Sequence, residues 1–115
     1  MKTKSMIRLA TTILALLAFF GSVARADDIQ PVFEKNCAAC HGKDGKGNTR
    51  MGRQVDVKDY TDPKVQADLS DEKALKTIKE GIKDDKGKER MKPYGDLLTD
   101  DQIKSLIAYI RTFKK

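Results

Sequence analysis

The 115-residue chain contains no tryptophan, a single histidine, His41, and two cysteines, Cys37 and Cys40. Each shortage removes a class of site. One histidine cannot supply a pair of imidazole ligands, and two cysteines with one histidine fall short of the four ligands of a closed zinc site unless a carboxylate completes it. From residue 27 onward there are just five aromatics, Phe33, Tyr60, Tyr94, Tyr109 and Phe113, few for a core. Sustained alternation of apolar residues is missing too, so no strand is expected, and no internal repeat is present.

Excess positive charge is likewise scarcer than it looks. The net charge of +6 draws on an N-terminus with the pattern of an export signal. Lys2, Lys4 and Arg8 precede an uncharged stretch from Leu9, and the small-residue site Ala24-Arg25-Ala26 comes before Asp27-Asp28. The uncharged run to Ala24 is 16 residues, short of the roughly 20 needed to span a bilayer. The sequence therefore predicts a signal peptide over residues 1–26, cleaved after Ala26, periplasmic export, no permanent membrane anchor, and one domain over residues 27–115. Removing Lys2, Lys4, Arg8 and Arg25 leaves 19 basic against 17 acidic residues and a charge of +2, which gives no reason to expect nucleic-acid binding. A domain of this size is marginal on its apolar core alone, and an added staple such as a disulfide, a metal or a bound cofactor is expected.

Three helices are legible. One begins near Pro31 and runs through Val32 and Phe33 to Cys37. A second follows Ser70 as N-cap, with Ala74, Leu75, Ile78 and Ile82 on one stripe. The third opens on the capping box Thr99-Asp100-Asp101-Gln102 and carries Ile103, Leu106, Ile107, Ile110 and Phe113 at helical spacing. Residues 42–68 and 84–98 read as loops. The expected class is all-α, with long loops that are unusual unless they wrap something.

What is present is concentrated in Cys37-Ala38-Ala39-Cys40-His41, the C-x-x-C-H form that marks covalent haem attachment. Two cysteines three apart on a helical turn reach the two vinyl groups on one porphyrin edge, and the following histidine falls under the iron. A disulfide between Cys37 and Cys40 is the plainer alternative, and a redox C-x-x-C usually sits in a βα context absent here. For the sixth iron position, the chain beyond residue 26 offers two methionines, Met51 and Met91. Met91 is favoured over Met51, Lys92 or water, because Pro93 stiffens its loop and a methionine between Arg90 and Lys92 is a poor core residue.

With "CAACH", "MKPYGDLLTDDQI" and "IKSLIAYIRTF" in this order, the chain from residue 27 onward resembles the class I cytochromes c, small soluble monohaem proteins. The resemblance implies three to five short helices around one covalently bound haem c. The cysteines Cys37 and Cys40 would form the thioethers, and His41 and Met91 would be the axial ligands. It further implies that the first and last helices cross with Phe33 against Tyr109. Two departures stand out. No proline lies between His41 and Asp62, so no residue can be named that orients His41, and there is no tryptophan for a haem propionate. Arg53, Gln54 and Tyr60 are the remaining propionate candidates.

The implied function is one-electron transfer by a monomeric carrier that is not an enzyme. An apolar shell of Phe33, Leu75, Ile78, Leu97, Leu98 and Ile107 would keep water from the iron. Its partners would be reductases and oxidases, membrane-bound or soluble. Residues 43–53 carry four basic and one acidic side chain and residues 83–92 five and three, whereas residues 54–72 carry two and six. The expectation is docking through a lysine-rich haem edge. Two alternatives remain open: a five-coordinate haem that binds a gas or peroxide with Met91 off the iron, and a haem-free exported module with one disulfide.

Overall fold

The computed structural model describes residues 28–115; the expected leader and its cleavage site fall outside the described residues. Six helices follow in order: α1 (Ile29–Asn36), α2 (Ala38–His41), α3 (Arg50–Val55), α4 (Pro63–Asp68), α5 (Asp71–Glu80) and α6 (Asp100–Arg111). A two-stranded antiparallel hairpin, β1 (Ile82–Lys83) with β2 (Glu89–Met91), lies between α5 and α6. The architecture is predominantly helical, as expected, with short helices separated by loops.

The caps explain where the helices start. Thr99 accepts from the Gln102 backbone N–H while the Gln102 side chain accepts from the Thr99 N–H, the reciprocal capping box read from the sequence. Ser70 caps α5 by accepting from the Lys73 N–H. Gly81 ends α5 at φ +72°, a conformation costly for a residue with a Cβ. That ending corrects the stripe assigned to the second helix. Ala74 and Ile78 are buried, but Ile82 lies beyond the terminator, in β1, and is 44% exposed.

The two long segments expected to be loops are more ordered than that. Thr49 caps α3, and Asp62 caps α4 with Pro63 as its first residue. The hairpin was not expected either: its strands are two and three residues long, mostly exposed, and paired with a register irregularity, too short for an alternation to appear.

Helices α1 and α6 cross at Phe33, whose ring meets Tyr109 edge-on at 5.2 Å between centroids and Phe113 at 5.4 Å. Phe33, Ala38, Leu106 and Ile110 form one apolar cluster, and Ala74, Ile78, Tyr94, Ile103 and Ile107 form the second. Leu98 packs against both. Leu97, expected in the apolar shell, is 63% exposed instead.

Candidate functional site

A cavity of about 520 Å³ has a lining that includes Cys37, Cys40, His41 and Met91. Its size is that of cofactor and ligand sites, roughly 300–1,000 Å³. The chain thus brings together the motif at the start of the domain and a methionine 50 positions later in the sequence.

The motif sits at a break between helices. The Cys37 N–H still bonds the Phe33 carbonyl, closing α1, and the His41 N–H bonds the Cys37 carbonyl, opening α2. The chain then folds back on its own carbonyls. The Gly47 N–H donates to the His41 carbonyl at 2.7 Å, and the Thr49 hydroxyl donates to the Cys40 carbonyl at 2.7 Å while accepting from the Gly52 N–H. Thr49 therefore caps α3 and fastens it to the motif at once. It was not singled out from the sequence, where a threonine before a short helix is a weak signal.

Burial governs the chemistry of the motif side chains. It pushes the Cys37 thiol up to about 11, with the Cys40 sulfur adding to the effect. It also lowers the pKa of His41 and favours the neutral imidazole, the form that can ligate a metal. His41 Nδ1 is buried and has no hydrogen-bond partner. No disulfide joins Cys37 and Cys40.

Met91, which lines the same cavity, is half-buried and packs against the cluster around Ile78 and Tyr94. Its loop is anchored at several points. The Tyr94 N–H donates to the Ile78 carbonyl at 2.9 Å, the Gly95 N–H to the Lys79 carbonyl at 3.1 Å, and the Tyr94 hydroxyl to the Asn36 carbonyl at 2.7 Å. Met51 also lines the cavity but is 48% exposed. A smaller void near 20 Å³ is lined by His41, Met91, Tyr60 and Tyr94 but not by Met51.

Of the three propionate candidates, Tyr60 alone lines the cavity. It stacks on His41, with ring centroids 5.1 Å apart and planes 17° apart. Arg53 bonds Asn48 Oδ1 outside the cavity lining, and Gln54 is not part of that lining. The cations that line it are Lys58, Arg90 and Lys92. Arg90 reaches from β2 to the Val55 carbonyl at the end of α3, which joins two sides of the opening. The sequence placed Arg90 beside Met91, but nothing in it marked this reach across 35 positions.

The donor set fits a haem. Two thiols three residues apart, a neutral imidazole beside them and a thioether line one cavity large enough for a cofactor. The family model described as Cytochrome c matches residues 26–114. The solved structure of the KustC0563 c-type cytochrome is 32% identical with a TM-score of 0.69, over 77% of this chain and 100% of that one. A point mutant of the same cytochrome gives 33% and 0.66, over 76% and 100%. The comparison with curated proteins gave no match.

Proposed function

Since the chain belongs to the class I cytochromes c, haem-binding and non-catalytic electron carriers, we propose that it carries one electron in the periplasm on a single haem c. In this reading Cys37 and Cys40 form the thioethers, and His41 and Met91 are the axial ligands. The observation that carries it is the convergence of these four side chains on one cavity. When bound, the haem supplies a ferrous–ferric couple whose potential the protein sets.

The residues divide the work. The cysteine pair fixes the group covalently against loss after export. His41, held neutral by burial, presents a ring nitrogen, and because Nδ1 faces the interior, Nε2 is the one left for ligation. Met91 supplies a soft, neutral sulfur that favours the reduced state. Phe33, Ile78, Leu98 and Leu106 line the inner void and exclude water. Lys58, Arg90 and Lys92 form the basic part of the opening and favour transient docking of an anionic redox partner. Residues 1–26 serve as the export signal.

An optical spectrum of periplasmically expressed protein tests this. Sharp reduced haem bands and a weak near-infrared sulfur-to-iron band in the oxidised protein are expected, the latter lost in Met91→Ala and retained in Met51→Ala. Haem bands with no sulfur band, together with carbon monoxide binding to the ferrous protein at neutral pH, would replace it with the five-coordinate reading.

A further inference from the structure

A metal-ligating histidine almost always donates its second ring N–H to a carbonyl, carboxylate or water, which fixes the ring and makes it a stronger donor. His41 departs from this, because its Nδ1 is buried and unpartnered. The carbonyls beside it in the chain are engaged elsewhere, His41 O by the Gly47 N–H and Cys40 O by the Thr49 hydroxyl.

What touches the imidazole face is Tyr60, stacked at 5.1 Å and 17°. Tyr60 is itself clamped from both sides. Its N–H donates to the Gly45 carbonyl at 2.8 Å, and its carbonyl accepts from Gln66 Nε2 at 2.7 Å. Gln66 is 6% exposed, and Nε2 also donates to the Ile110 carbonyl at 2.9 Å. Arg111 Nη1 donates to Gln66 Oε1 at 2.8 Å, which orients the amide so that its NH2 faces the Tyr60 and Ile110 carbonyls. A buried amide satisfied on both ends is a rigid mount.

We propose that Tyr60 is the positioning residue of His41: its clamped ring sets the imidazole plane by stacking, in place of a hydrogen bond at Nδ1, and shields that nitrogen from water. This rests on the His41 ligation proposed above. An imidazole whose second N–H is unbonded is the weaker donor, so it stabilises the ferric state less. Tyr60 therefore raises the reduction potential while keeping one ligand orientation.

The test uses the holoprotein with Tyr60→Phe and Tyr60→Leu. In the ferric protein the paramagnetically shifted haem methyl proton resonances report the orientation of the axial ligand planes. Phenylalanine keeps the ring, so the methyl pattern and the potential are expected to match the wild type. Leucine opens Nδ1 to water and frees the ring, so the pattern is expected to change and the potential to fall, with the sulfur band retained. An unchanged pattern and potential in Tyr60→Leu would overturn the proposal while leaving His41 ligation intact. If Tyr60→Leu does not fold, 15N-histidine labelling of the ferrous wild type decides. A Nδ1–H resonance with no coupling to a carbonyl is expected, and a strongly deshielded one coupled to a carbonyl would refute the stack as the holding device. A wild type without a ligated histidine would remove both readings together.

Discussion

The Tyr94 hydroxyl donates to the Asn36 carbonyl at 2.7 Å across 58 positions of sequence. This bond joins the loop that carries Met91 to the last residue of α1, immediately before Cys37. Both residues line the cavity, so the bond ties the loop that bears the thioether to the motif. Tyr94→Phe keeps the buried ring and removes the bond, which leaves a part-buried carbonyl unpaired. A loss of about 1 kcal/mol is expected, read as a lower denaturant midpoint, and the sulfur-to-iron band should bleach at lower denaturant than in the wild type.

Gly81 takes part in the same placement from the other side. Its φ is +72°, and a Cβ there would lie 2.4 Å from the Met91 carbonyl oxygen and 2.8 Å from the Pro93 nitrogen. Those neighbours are backbone and cannot swing away. Gly81→Ala should cost at least about 1–3 kcal/mol and push β2 off β1. Its readout is a chemical denaturation curve together with a weakened sulfur band in the folded protein.

Leu106 tests the crossing of α1 and α6. It is 1% exposed and shares a cluster with Phe33, Ala38 and Ile110. Leu106→Ala should destabilise the protein by about 2–5 kcal/mol, the transfer term plus a residual cavity. The same void faces His41 and Met91, so the potential should also fall as water gains access. Calorimetry and a redox titration on one sample check both.

How legible these features are in the sequence follows from how local their causes are. The motif is five consecutive residues and α6 is a cap plus a long apolar stripe, so each announces itself. Helices α3 and α4 are six residues each, less than two turns, and no period can accumulate in them, although Asp62-Pro63 did carry a cap and a first-turn proline. Ile82 continued the spacing of Ile78, yet Gly81 between them stops the helix, and a stripe alone cannot weigh that. Tyr60 looked like a polar-loop aromatic suited to a propionate. Its place over His41 is set by Gly45, Gln66 and, through Gln66, by Arg111, partners 6 to 51 positions away whose meeting is a property of the fold.

Acid should loosen the turn that contains Tyr60. The Thr61 hydroxyl and N–H both donate to Asp59 Oδ1, at 2.7 and 2.8 Å, and hold its carboxyl below the usual aspartate value of 3.8. Since the unfolded chain takes up this proton at a higher pH than the folded one, the stabilisation is present above about 3.8 and is lost as pH falls through the folded value. Thr61→Ala should return the carboxyl toward 3.8 and flatten that part of the pH–stability curve. The carboxyl carbon shift of Asp59, followed by NMR across the acid range, checks it; an unchanged titration would show that the Thr61 hydroxyl bond does not set the value.

The charged side chains at the opening are not equivalent as probes of docking. Arg90 holds the Val55 carbonyl, and Lys92 Nζ stands 5.2 Å from the centroid of the Tyr94 ring, so changing either disturbs the site as well as the field. Lys58 lines the same opening, is exposed, and forms no ion pair among the described residues. Lys58→Glu should therefore leave the optical spectrum and the potential nearly unchanged while slowing electron transfer to an acidic redox protein by about tenfold at low salt. The difference should shrink as ionic strength rises toward 1 M, where the screening length is about 3 Å. Stopped-flow rates over a salt series measure this directly, and wild-type rates that do not fall with salt would mean that the basic opening plays no part in steering.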